Sequence, residues 1–226
     1  MTALNEELEV VVPDPQARVS ALLTGPEAPR VVYVLAHGAG AGMRHPFLEA
    51  VASGLAQRGI ATFRYQFPYM ERGAGRPDAP PALAATTRAA AGAAMVRLPN
   101  TPLIAGGKSL GGRMTSVAAA AAPLPGVRGL AFLGFPLHAP GRPASSRAAH
   151  LAQVTVPMLF LQGTRDDFAD LELLRGALEP LGARATLHLV EGGDHSFNVL
   201  KRSGRTKAEV MEELVSTLDL WASGLG

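Results

Sequence analysis

The sequence predicts a single α/β domain, a three-layer α/β/α sandwich built on a mostly parallel sheet, and three observations carry that reading. Short apolar runs alternate with segments of helical period along the chain, glycine or proline marks most of the junctions between them, and 226 residues is a length that such folds fill around one core. Strand–helix–strand units of this kind join parallel strands through right-handed crossovers, so helices cover both faces of the sheet. Residues 1–226 are read as one domain, with no internal repeat or low-complexity tract.

Taken in order, Glu7–Val12 and Arg18–Leu23 are β-leaning runs around the turn Pro13-Asp14-Pro15-Gln16, which predicts an opening hairpin at a sheet edge. Val31–Ala36 is a continuous apolar run of the kind buried on both faces of a parallel sheet, and it ends in the glycine-rich stretch His37-Gly38-Ala39-Gly40-Ala41-Gly42. Pro46–Arg58 has apolar residues at helical spacing, with proline in its first turn and Gly59 as a stop. Ile60–Tyr65 reads as a strand, 66–81 as a long loop rich in proline, glycine and charge, and Ala82–Arg97 as an alanine-rich helix. The alternation continues with a strand at Pro102–Ala105, a helix at Met114–Ala122, an apolar strand at Val127–Phe135 and a polar, proline-rich stretch at Pro136–Ser146. A short helix near Arg147–Gln153, a strand at Val156–Gln162, a helix at Ala169–Leu181 and a last strand at Ala185–Val190 follow. Lys207–Ala222 closes the chain as an amphipathic helix with Val210, Leu214, Leu218 and Trp221 on one face.

Composition excludes several chemistries. Without cysteine there are no disulfides, no thiolate metal sites and no cysteine nucleophile, so a nucleophile must be oxygen or nitrogen. The formal charge is only +2 and the arginines are scattered, which argues against a nucleic-acid surface. No apolar run reaches the ~20 residues of a bilayer span, and the acidic start Met1-Thr2-Ala3-Leu4-Asn5-Glu6-Glu7 lacks the features of a secretory signal, so a soluble, cytoplasmic protein is expected. The abundance of alanine and of arginine over lysine suggests a GC-rich bacterial genome. No phosphate loop, dinucleotide fingerprint or clustered metal ligands accompany these elements, and neither cofactor nor metal is expected.

The chemistry gathers around Gly107-Lys108-Ser109-Leu110-Gly111, a G-x-S-x-G pattern set between a predicted strand and a predicted helix. In that setting the pattern is a nucleophile elbow: small residues allow a very tight turn, and the serine is held out at the helix N-terminus. A serine hydroxyl needs a general base, usually a histidine oriented by a carboxylate, and here both are expected after the serine in the order acid then histidine. Gly163-Thr164-Arg165-Asp166-Asp167-Phe168 follows one late strand and offers Asp166, chosen over Asp167. Glu191-Gly192-Gly193-Asp194-His195-Ser196-Phe197 follows the last strand and offers His195, which alone of the six histidines has this order and setting. Backbone N–H groups of Leu110 and of Ala39, ahead of Gly40, are the expected oxyanion donors. His37 is read as a brace of that loop. Gly40, Tyr65, Phe67, Tyr69, Phe135 and Leu137 lie near strand ends and are candidates to line an acyl pocket, although each also suits ordinary core packing. Arg64 and Arg113 suit salt bridges within the fold better than contacts to an acidic substrate.

His37-Gly-Ala-Gly, Gly-Lys-Ser109-Leu-Gly-Gly, Gly-Thr-Arg-Asp166 and Gly-Asp-His195-Ser-Phe together resemble the α/β-hydrolase superfamily from the Val31 strand to the closing helix. Within it the chain is similar to the small, capless, dienelactone-hydrolase-like branch, and more closely to an uncharacterised bacterial group related to the hydrolase-like subunit of a eukaryotic NSL histone-acetyltransferase complex. The resemblance implies an eight-stranded mostly parallel sheet without a separate cap domain, and a Ser–Asp–His triad acting without metal or cofactor. Dienelactone hydrolases proper use cysteine, which this chain lacks, so their substrate does not carry over. Asp167 stands where similar loops commonly have proline, which leaves the choice of acid between Asp166 and Asp167 open.

The resulting expectation is a serine hydrolase of carboxylic esters or thioesters acting on a small-molecule acyl substrate, with no nucleic-acid or membrane partner and with homodimerisation left open. The alternatives are a non-catalytic binding or scaffold protein of the same fold, and a peptidase or acyltransferase using the same triad.

Overall fold

The computed structural model describes residues 3–14 and 16–225; Met1 and Thr2 of the acidic start and Pro15 of the turn at 13–16 lie outside them. β1 (Ala3–Val12) and β2 (Ala17–Pro26) form the opening antiparallel hairpin, from the Val12–Ala17 pair out to Ala3–Pro26. The chain then runs through β3 (Val31–Ala36), α1 (Pro46–Ala56), β4 (Ile60–Tyr65), α2 (Pro68–Glu71), α3 (Pro80–Arg97), β5 (Leu103–Lys108) and α4 (Leu110–Ala121). β6 (Val127–Leu133), β7 (Met158–Gly163), α5 (Leu171–Leu178), β8 (Ala185–Val190) and α6 (Lys207–Ser223) complete it. One eight-stranded sheet results, in the order β1-β2-β4-β3-β5-β6-β7-β8. β2 meets β4 antiparallel, and every neighbouring pair from β4 to β8 is parallel. The connection from β6 to β7 carries loop and one 3₁₀ helix (Ser146–Gln153), so no separate cap domain is inserted there. No helix among the described residues is long and apolar enough to cross a membrane.

Strand alternation divides the interior into two cores. On β3, Val32, Val34 and Ala36 face one way and join Phe63 and Tyr65 of β4, Phe132 of β6 and Phe160 of β7 under α3, α4 and α5. Val31, Tyr33 and Leu35 face the other way and meet Leu48, Val51 and Leu55 of α1 and Val210, Leu214 and Leu218 of α6. Buried on both sides, these strands read as unbroken apolar runs rather than alternating ones.

The structure departs from the sequence-based boundaries where tertiary contact outweighs local preference. β5 extends through Gly106, Gly107 and Lys108 instead of ending at Ala105, and α4 begins at Leu110 instead of Met114, so Ser109 alone makes the turn. Glycines weaken both predictions, yet here they are held by the neighbouring strands and by the helix packed on them. The loop expected at 66–81 contains α2 and the first residues of α3, each opening with proline in the first turn. The helix expected from Ala169 begins at Leu171, because the Asp170 side chain accepts from Leu173 N–H at 2.9 Å and caps it. α6 opens with a capping box: Glu209 N–H donates to Thr206 Oγ1 at 3.2 Å, and Thr206 N–H donates to Glu209 Oε2 at 2.7 Å.

Phe132 packs against Phe160 and Phe135 with ring centroids 4.7 and 5.5 Å apart. Phe132→Ala is expected to cost about 3–5 kcal/mol, and Thr206→Ala about 1 kcal/mol. Urea unfolding with unchanged m-values checks both, and a loss below about 1 kcal/mol for Phe132→Ala contradicts this description of the core.

Candidate active site

At the carboxyl end of β5 the backbone turns directly into α4, and the turn leaves no room for side chains on either flank. A β-carbon at Gly107 would lie 2.4 Å from the Ala36 carbonyl oxygen, and one at Gly111 would lie 2.5 Å from that of His37. Ser109 sits between them at φ 50°, ψ −118°, a conformation that costs a non-glycine residue about 1–3 kcal/mol. The surrounding structure holds it there: Ser109 N–H donates to Leu133 O at 3.2 Å, and its carbonyl accepts from Arg113 N–H at 3.1 Å as α4 begins.

The structure brings Ser109, His195 and Asp166 together. Ser109 Oγ is 2.8 Å from His195 Nε2, and His195 Nδ1 is 2.7 Å from Asp166 Oδ2. Asp166 is buried and accepts twice more, from Gln162 Nε2 at 2.6 Å and from Phe168 N–H at 2.8 Å. Gln162 is itself fixed, because its Oε1 accepts from Phe135 N–H at 2.9 Å. The carboxylate is therefore oriented by three donors, and it in turn favours the His195 tautomer with the proton on Nδ1, leaving Nε2 free to take the serine proton. Phe168 stacks on the imidazole, with centroids 4.2 Å apart, and restrains the ring from its face. Asp167 is exposed and makes none of these contacts. Of the two aspartates, Asp166 is the one bonded to His195.

Two unengaged backbone donors flank the serine. Leu110 N–H is the first of α4, and among the described residues neither it nor Ala39 N–H meets a protein acceptor. Gly40 N–H, the alternative to Ala39, is taken by Tyr69 Oη at 3.0 Å. The loop carrying Ala39 is pinned by His37, whose Nδ1–H donates to Gly38 O at 2.7 Å while Nε2 accepts from Phe67 N–H at 3.1 Å. Both bonds require a neutral imidazole, and burial lowers its pKa accordingly.

The pocket corrects part of the sequence-based reading. A cavity of about 860 Å³ opens from Ser109 and His195 into the cleft between α1 and α6, with Phe47, Leu48, Phe197, Met211 and Leu214 among its apolar walls. Phe47 and Phe197 stack face to face there, 5.8 Å apart. Tyr65, Phe135 and Leu137 do not line it. All three are buried in the opposite core, where Tyr65 Oη bonds Thr87 Oγ1 at 2.8 Å and Phe135 packs on Phe132 and Phe160. Phe67 and Tyr69 belong to the same core, and Gly40 is engaged with Tyr69 rather than lining the cavity. The expectation put these aromatics near strand ends, where they are; which face of the sheet they enter depends on the twist of the strands and has no local signature.

Three contributors went unrecognised in the sequence. Gln162 had one available signal, a polar residue closing an otherwise apolar strand, and Phe168 had none beyond its proximity to Asp166. Lys108 stands beside the serine in the sequence and lines the cavity; burial pushes its pKa down to about 8, against the opposing charges of Asp166 and Asp194.

If the 2.7 Å contact sets the base, Asp166→Asn slows labelling of Ser109 by a fluorophosphonate about 10³- to 10⁴-fold, while Asp167→Asn leaves the rate within twofold. Labelling rates followed by intact-protein mass check this, and equal losses in the two variants contradict it.

Known proteins share this fold. A protein family described as an alpha/beta hydrolase domain matches residues 29–223. Among solved structures, a dienelactone hydrolase from Anabaena variabilis superposes with a TM-score of 0.77 at 20% identity, over 98% of this chain and 97% of that one. A lidless α/β serine hydrolase from Xanthomonas campestris gives 0.75 at 22%, covering 98% and 96%. The esterase domain of a Rhodothermus marinus protein gives 0.73 at 17%, covering 100% of both chains. With its sheet order, its strand-to-helix elbow and a family match over nearly its whole length, the chain belongs to the α/β-hydrolase domain family.

Proposed function

We propose that the protein is a serine hydrolase that cleaves carboxylic esters or thioesters of small-molecule acyl substrates through an acyl-enzyme. The observation that carries this reading is the unbroken hydrogen-bonded chain from Asp166 through His195 to Ser109, whose serine end opens into an apolar cavity. A serine held this way has its proton acceptor in contact and its oxygen facing the space where an acyl carbonyl would sit.

Ser109 Oγ attacks the carbonyl carbon as its proton passes to His195 Nε2. The oxygen that becomes negative receives hydrogen bonds from Ala39 and Leu110 N–H, each worth about 3 kcal/mol in the transition state. His195 then protonates the departing alkoxide or thiolate, which leaves the acyl group on Ser109. Water, deprotonated by the same imidazole, attacks this acyl-enzyme and releases the acid, returning the proton to Ser109. Asp166 stays ionised throughout and balances the transient imidazolium. The acyl chain occupies the cleft between α1 and α6, away from the aromatic core around Tyr65.

Hydrolysis of p-nitrophenyl esters tests both parts. Ser109→Ala is expected to reduce turnover of p-nitrophenyl acetate at least about 10³-fold, and turnover that survives it overturns the proposal. Met211→Trp, which fills the cleft, is expected to lower kcat/KM for the octanoate about tenfold or more relative to the acetate. An unchanged octanoate-to-acetate ratio places the chain elsewhere.

A further inference from the structure

Lys108 has no role in the chemistry above, yet its position is specific. Its side chain runs from the end of β5 into the space over Gly134, toward Asp166. A β-carbon at Gly134 would lie 3.2 Å from Lys108 Nζ, 3.4 Å from the His195 carbonyl oxygen and 3.5 Å from Asp166 Oδ2, so the amine stands within roughly 7 Å of the carboxylate. Nζ also lies 5.8 Å from the centre of the Phe197 ring. Among the described residues it makes no hydrogen bond and no ion pair within 4.0 Å. A largely buried lysine kept for structure would be expected to have such a partner.

We propose that Lys108 is a positioning residue whose charge, fixed beside the Asp166 carboxylate that bonds His195, opposes protonation of the imidazole, extending the acidic range over which Ser109 has a free base. The inference rests on Ser109, His195 and Asp166 being the reacting set. The charged groups facing the amine are Asp166 from the β7–α5 loop and Asp194 from the loop after β8, with the His195 backbone carbonyl beside them. The Gly38 loop and the Gly134 turn bring no charge to it, and Lys207 of α6 lines the same cavity. Asp194 is engaged locally, accepting from the N–H groups of Ser196 and Asn198 at 2.8 Å, whereas Asp166 is the carboxylate bonded to the His195 imidazole and so the one through which the lysine's charge reaches the base. With its own titration pushed down only to about 8, the amine is charged across the acid limb of the profile.

A unit charge at this range in a protein-like dielectric shifts a neighbouring titration by about one pH unit. Removing it makes the imidazole easier to protonate, so activity is lost at higher pH. The test is the pH dependence of fluorophosphonate labelling and of kcat/KM for p-nitrophenyl acetate in wild type, Lys108→Met and Lys108→Arg. The acid limb is expected to move up by about one pH unit in Lys108→Met and to return to within about 0.3 unit of wild type in Lys108→Arg. Lys108→Gln provides a second neutral side chain should the methionine variant fail to fold. Superimposable acid limbs in all variants, or the same shift in the arginine and neutral variants, overturn the role of Lys108 while wild-type labelling at Ser109 preserves the hydrolase reading. Wild-type protein that does not label at all overturns both.

Discussion

The close approach of the β5–α4 turn to the end of β3 is the constraint on which the site depends. Because the backbone passes so near the Ala36 and His37 carbonyls, Gly107 and Gly111 carry no side chain, and Ser109 is driven into a conformation it would otherwise avoid. The strain has a geometric return. It begins α4 immediately after the serine, so that Leu110 N–H, the first of the helix, has no partner among the described residues. The same close approach brings the His37–Ala39 loop alongside Ser109, so the serine and the N–H groups proposed to receive the oxyanion are set by one packing event rather than by separate loops.

From that point the site is organised by the two faces of the sheet. The α3–α4–α5 core anchors the elbow and the acid, through Phe132, Phe135 and Phe160 and through Gln162 reaching from β7 to Asp166. The other face supplies the cavity, where α1 and α6 diverge near their N-termini around Phe47, Phe197 and Met211. His195 lies where the two meet, bonded to Asp166 on one side and to Ser109 on the other, with Phe168 stacked upon its ring. One face thus supports Ser109, Asp166 and His195, and the other holds the cavity in which the proposed acyl chain would lie.

The order of elements was legible in the sequence because doubly buried strands and amphipathic helices have different periods, and β3, β4 and β8 lie where their apolar runs predict. Ser109, Asp166 and His195 were legible for another reason: each follows a strand in a glycine-bearing loop, and such loops gather at one edge of a parallel sheet. The preference for Asp166 over Asp167 was read from the sequence but left open there, because which carboxylate is buried against Gln162 is a contact between a strand and the loop after it. The pocket was least legible. Tyr65 and Phe135 have the composition of a substrate wall, but the face each enters is decided by parity along β4 for Tyr65 and by the loop after β6 for Phe135, and both lie in the core. The cleft that is open is walled by α1 and α6, far apart in sequence, whose apolar residues look the same whether they meet each other or a ligand.

The central claim is that Ser109, two backbone donors and the α1–α6 cleft form one acyl-binding unit. Its most direct measurement is a crystal structure of the protein reacted with a long-chain alkyl fluorophosphonate. The account predicts phosphorus bonded to Ser109 Oγ, the phosphoryl oxygen about 2.7–3.1 Å from both Ala39 N and Leu110 N, and the alkyl chain between Phe47 and Met211. A phosphoryl oxygen turned away from those donors, or an alkyl chain seated outside the α1–α6 cleft, would contradict it.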